Sequence, residues 1–175
     1  MRYPSRASIA CLLVVWGFSF NTEAAETIGY YSAPGSACQL SIPTTNTGVR
    51  PKATGFRNES TSVSNFVICP IAAPVKGGDY DDFYITFESM DGGNHNVTCT
   101  GVIGGQNETA PITYVTFTTD ILYPEEKWIY WDALFFGQEP GTSIKGSSVS
   151  TITCNLPPQV LIHKIGGSYT YAIGN

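Results

Sequence analysis

Phe66-Val67-Ile68-Cys69-Pro70-Ile71 sets a pattern that recurs along the chain. It is a short apolar run with a cysteine inside it and a proline close behind. Pro70 has no N–H to give to a sheet ladder, which predicts that the run is an edge strand or ends there. Two later stretches echo it: Asn96-Val97-Thr98-Cys99-Thr100-Gly101-Val102-Ile103 and Ser150-Thr151-Ile152-Thr153-Cys154-Asn155-Leu156. Each sets a cysteine among β-branched residues, the composition of strands. Together they predict a small β domain whose strands are cross-linked.

Outward from these runs the pattern continues. Phe83-Tyr84-Ile85-Thr86-Phe87-Glu88 has a clean period of two, with Phe83, Ile85 and Phe87 on one side and Tyr84, Thr86 and Glu88 on the other. Asp91-Gly92-Gly93-Asn94 is strong turn chemistry and predicts a hairpin between that strand and the Cys99 strand. Ile112 to Thr119 alternates aromatic, β-branched and Thr residues. Gly166-Gly167 predicts a second hairpin, between Val160–Ile165 and Ser168–Ile173. Residues 127–136 carry Trp128, Ile129, Tyr130, Trp131, Leu134, Phe135 and Phe136, and periodicity leaves strand and short helix both open. The reading is all-β: an antiparallel, jelly-roll-like β-sandwich of about ten short strands with Gly/Pro punctuation.

The front of the chain predicts export. Arg2 and Arg6 precede a mostly apolar stretch, Ala7 to Phe20, followed by Asn21-Thr22-Glu23-Ala24-Ala25. This is the order of a secretion signal, read as residues 1–25, with one secreted β domain over 26–175. The apolar stretch is shorter than the roughly 20 residues a membrane span needs. No later segment is long and apolar enough to serve. The expected compartment is secreted or periplasmic. Beyond residue 25 the balance is 7 basic against 13 acidic residues. Such a chain is unsuited to nucleic acid, where affinity rests on neutralising phosphates.

Four cysteines remain after the signal: Cys38, Cys69, Cys99 and Cys154. An even count on an exported chain argues for two disulfides, with three pairings open. Cys38–Cys69 and Cys99–Cys154 is the favoured set, since it joins an N-terminal segment to its neighbour and ties two β-like runs together. With no C-x-x-C, and only His95 and His163 present, structural zinc is disfavoured.

Three groups of residues are candidates for chemistry. Trp128, Tyr130 and Trp131, with Tyr123 nearby, form either part of the core, the first reading, or a stacking platform for sugar rings. On a strand, Trp128 and Tyr130 share one face while Ile129 and Trp131 share the other. Asp79, Asp81 and Asp82, in the loop 77–82, are a weak candidate for calcium, which wants six to eight oxygens. No other cofactor is indicated. His95 and His163 are the histidines available to a hydrolase, but no G-x-S-x-G accompanies them. Asn58-Glu59-Ser60, Asn96-Val97-Thr98 and Asn107-Glu108-Thr109 match the N-glycosylation pattern.

Ala37-Cys38, Val67-Ile68-Cys69-Pro70-Ile71, Val97-Thr98-Cys99, Cys154-Asn155-Leu156-Pro157 and the Ile165 to Tyr171 strand, behind a signal peptide, carry a resemblance. In that order they resemble a group of small, secreted, uncharacterised proteobacterial proteins with four cysteines. The resemblance implies an exported β-rich domain with two disulfides and carries over no activity, substrate or catalytic residue. The functional expectation is a non-enzymatic, exported β-sandwich that binds carbohydrate or another extracellular or cell-surface ligand. The alternative is a structural or envelope protein-interaction module without a small-molecule site. An unrecognised hydrolase ranks third.

Overall fold

The three cysteine-bearing runs lie side by side. In the computed structural model, which describes residues 25–42, 48–74, 78–105, 111–147 and 149–173, they form the middle of one antiparallel sheet. The expected signal segment lies outside the described residues, except for Ala25.

In chain order the strands are β1 (Ala25–Pro34), β2 (Gln39–Leu40), β3 (Val49–Lys52), β4 (Gly55–Asn58), β5 (Asn65–Ile71), β6 (Asp82–Ser89), β7 (His95–Ile103), β8 (Thr113–Ile121), β9 (Lys127–Asp132), β10 (Ser150–Leu156) and β11 (Val160–Ile173). One sheet runs β2-β5-β10-β7-β8. The other runs β3-β4-β11-β6-β9, with β1 beside the second half of β11. The molecule is therefore an all-β sandwich of two antiparallel sheets held by two disulfides.

Alternation builds the core between the sheets. Val67, Cys69 and Ile71 of β5 turn inward while Phe66 and Pro70 face out. Val97 and Cys99 of β7, and Ile152, Cys154 and Leu156 of β10, are buried beside them. From the other sheet come Phe83, Ile85 and Phe87, with Ile129, Trp131, Val160, Ile162 and Ile165. Each such side chain, fully buried, contributes about 1.5–3 kcal/mol of transfer free energy. Cys38 is bonded to Cys69 and Cys99 to Cys154, in each case with Cα atoms 4.1 Å apart. Cys99 and Cys154 are register partners, so this bond staples neighbouring strands of one sheet and does not bridge the sandwich. Pro70 lies beyond Val67 and Ile68, the two residues that β2 pairs, so its missing N–H faces no β2 partner.

Two hairpin expectations are corrected. Asp91–Asn94 does turn the chain, but β6 and β7 belong to different sheets, so the turn is a crossover between layers. Asp91 accepts hydrogen bonds there from Ser89 Oγ and Gly93 N, which fold the turn on itself. Gly166-Gly167 is not a turn at all; β11 runs straight through it. The glycines are needed for close approach. A Cβ on Gly166 would lie 2.4 Å from the Tyr31 carbonyl oxygen, and one on Gly167 would lie 2.5 Å from that of Asp82. A register shift between Ile162 and Ile165 restores burial, turning Ile165 inward where strict alternation from Ile162 would send it out.

Residues 127–136 resolve into β9 followed by a single 3-10 turn, Leu134–Phe136. The strand reading holds for the half that carries both tryptophans, and the helical turn takes up the rest.

Candidate functional site

Four strands of the six-stranded sheet set their outward side chains in rows. Register pairs Tyr30 of β1 with Ser168 of β11, Ser168 with Asp82 of β6, and Asp82 with Asp132 of β9. The next row is Ser32, Gly166, Tyr84 and Tyr130, and beyond it Thr86 pairs with Trp128. Because Gly166 has no side chain, the Tyr84 ring lies across it. The result is a shallow cleft of about 400 Å³ lined by Tyr30, Tyr84, Trp128 and Tyr130 together with Asp81, Asp82, Asp132 and Ser168.

The aromatic walls are open to solvent: Trp128 is 46% exposed, Tyr130 54% and Tyr30 77%. They are also held in place. Trp128 packs against Tyr84 with ring centroids 4.8 Å apart, and the Lys164 ammonium lies 4.4 Å from the centre of the Trp128 ring. Tyr130 meets Phe135 edge-on at 5.7 Å, and Phe135 in turn meets Phe117 at 4.8 Å.

The reading of Trp128, Tyr130 and Trp131 as one candidate group is thus divided by the strand. Trp128 and Tyr130 are surface, against the all-core reading. Trp131 is corrected to core: it is fully buried, its indole N–H donates to the Val115 carbonyl at 2.9 Å, and its ring stacks on Phe83 at 5.4 Å. Period two sends residues an odd number apart to opposite faces, so Trp128 and Trp131 have unlike surroundings.

The carboxylates of the acidic loop do not form a cation cage. Asp81 accepts from Ser143 Oγ at 2.6 Å and from Thr170 Oγ1 at 2.7 Å. Asp82 accepts from Ser168 Oγ, and Asp79 from the Gly146 N–H at 3.1 Å. Among the described residues, the calcium candidates Asp79, Asp81 and Asp82 included, no group of three His, Cys, Asp or Glu side chains is placed to hold a metal ion. Gly77, part of that loop, lies outside the described residues. The acidic loop instead edges the aromatic cleft. It is fixed by Tyr80, whose N–H donates to Ser147 Oγ and whose carbonyl accepts from Ile144 N, both at 2.6 Å. Burial, with the Tyr31 and Tyr169 phenols nearby, pushes the Tyr80 hydroxyl well above the usual tyrosine range.

The histidines stand apart from the cleft lining. His95 hydrogen-bonds Asp91 at 2.8 Å, and His163 hydrogen-bonds Glu126 at 3.1 Å. Burial alone raises the Glu126 pKa, but Thr86, His163 and Lys164 outweigh it and hold the carboxyl below its ordinary value. Of the glycosylation matches, Asn58 is fully buried, with its amide donating to the Val63 and Leu156 carbonyls, so it is a structural bridge. Asn96 is exposed and donates to Asp120; Asn107 lies outside the described residues.

Residue type alone does not single out Tyr30, Tyr84, Asp132 and Ser168. The signal for Asp132 was present in the spacing, since Trp128, Tyr130 and Asp132 sit two apart on one strand face. The other three are brought in by strand order, which no local pattern carries.

No family model and no curated protein matches the chain. Among solved structures it is similar to a family 11 carbohydrate-binding module from Clostridium thermocellum, solved in complex with a β-1,3-1,4-mixed-linked tetrasaccharide. The identity is 13%, over 84% of this chain and 88% of that one, with a TM-score of 0.34. A likeness at that level assigns neither ligand nor residue to this protein.

Proposed function

We propose that the protein is an exported, non-enzymatic domain that binds glycans in the cleft on the six-stranded sheet. The observation that carries this is the exposure of Trp128, Tyr130 and Tyr30 in one cleft, beside Asp82, Asp132 and Ser168. A sugar ring has an apolar face of C–H groups and an edge of hydroxyls. Aromatic rings stack on the first, and carboxylates and hydroxyls pair with the second. Register holds these groups on adjacent strands, so ordering them costs little on binding. Two buried disulfides fit a chain that folds under oxidising conditions, which supports export. Among the described residues no helix is long and apolar enough to cross a membrane.

A glycan array probed with the wild type and with Trp128→Ala tests the proposal. Binding by the wild type that is lost in the variant is the expected result. No binding to any glycan, or equal binding by both proteins, overturns it.

A further inference from the structure

The cleft continues at both ends. Trp128 and Tyr130 also border a hollow of about 210 Å³ toward Phe117, Phe135 and Lys127. Asp81 and Asp132 also border one of about 440 Å³ that reaches Glu26 and Thr170. The shared residues make one track, with aromatic rings and two lysines, Lys127 and Lys164, at one end and four carboxylates at the other. Among the described residues no cation pairs with those carboxylates. The ion pairs among the described residues go to Glu59, Asp91 and Glu126 instead. Among the described residues, Asp81 and Asp82 accept from hydroxyls, and Asp132 accepts from the Phe135 N–H at 3.3 Å. Asp82 and Asp132 are direct register partners, a juxtaposition of like charges that disfavours the empty cleft.

We infer that the cleft selects an extended glycan bearing free amino groups, with an ammonium seated between Asp82 and Asp132 and the sugar ring against Tyr130 and Tyr84. A cation there relieves the repulsion between the two carboxylates, and the tyrosine faces favour it through their ring quadrupoles. Lys164, whose ammonium sits over Trp128, shows that this surface accommodates such a group. Glycans carrying carboxylates or sulfates would meet four like charges and are excluded. The inference rests on the glycan reading above and narrows it to a ligand class.

Calorimetric titration with a glucosamine oligomer, its N-acetylated counterpart of equal length and a galacturonate oligomer tests it. The free-amine oligomer is expected to bind about tenfold tighter than the acetylated one, a ratio within reach of a few ion pairs, and the galacturonate not at all. Asp132→Asn and Asp82→Asn, each checked for a native circular-dichroism spectrum, should bring the first two ligands close to equal. Raising the salt should weaken only the free-amine oligomer. If the acetylated oligomer binds as tightly as the amine, and Trp128→Ala abolishes that binding, the amine selection is wrong while the glycan reading stands. If neither oligomer binds and the array is blank, both fall.

Discussion

Tyr84 and Gly166 are register partners on β6 and β11, and the tyrosine occupies the space that a side chain at 166 would need. A Cβ on Gly166 would come 2.7 Å from Tyr84 Oη and 2.4 Å from the Tyr31 carbonyl oxygen. Gly166→Ala is therefore expected to lower stability by about 1–3 kcal/mol, the usual cost of overpacking. Because the displaced Tyr84 supports Trp128, glycan affinity should fall with it. Urea unfolding reads the first effect and titration the second. An unchanged midpoint would show that the strand accommodates a side chain there.

Two tryptophans three residues apart should behave as opposites. Trp131→Ala empties a fully buried site, an indole stacked on Phe83, and is expected to cost about 3–5 kcal/mol. Trp128→Ala removes a half-exposed ring and a contact with Lys164, and should cost less than about 1 kcal/mol. Chemical denaturation of the two variants side by side checks this. Comparable losses would place Trp128 in the core, contrary to the register.

The disulfides close loops with separations of 31 and 55 residues, so the chain-entropy model assigns each about 4 kcal/mol, with little difference between them. Their positions differ more. Cys99→Ala/Cys154→Ala loosens the two central strands and should lower the global unfolding free energy. Cys38→Ala/Cys69→Ala releases a two-residue edge strand and should, in addition, speed hydrogen exchange at Gln39 and Leu40 while leaving β7 and β10 protected. Equal exchange across both sheets in the second variant would contradict this.

Asp91 links stability to acid pH. The Gly93 N–H, followed by the His95 and Ser89 side chains, lowers its pKa to about 2 against the opposing effect of burial. The folded value lies below the unfolded value of about 3.9. The group therefore stabilises the fold above about pH 4, and that contribution is lost as the pH falls toward 2. Asp91→Asn should flatten this part of the stability–pH curve. A variant curve parallel to the wild type between those limits would rule Asp91 out as the group responsible.

Cysteine strands and period-two runs made the class of fold legible, because alternation and β-branched composition are local and survive in any strand order. Glycine pairs alone do not say whether the chain makes a hairpin. Gly92 and Gly93 do turn the chain, but toward the other sheet. Gly166 and Gly167 instead answer to Tyr31, Tyr84, Asp82 and Tyr80, residues about 80 or more positions away in the chain. The site was half legible for the same reason. Trp128 and Tyr130 stand out by type, whereas Tyr30, Asp82 and Ser168 join them only because β1, β11 and β6 lie in that order. Composition groups Trp131 with Trp128 and Tyr130, while the strand sends it to the opposite face.

A ligand seated in the cleft on the six-stranded sheet should perturb the residues around that cleft and leave the rest of the molecule still. Chemical-shift mapping on isotope-labelled protein, titrated with the glycan that the array selects, tests this most directly. The Trp128 indole N–H and the rings of Tyr30, Tyr84 and Tyr130 are expected to shift, while the buried Trp131 indole and the His95–Asp91 turn stay still. Shifts concentrated on the outer face of the β2-β5-β10-β7-β8 sheet, with Trp128 unmoved, would contradict it.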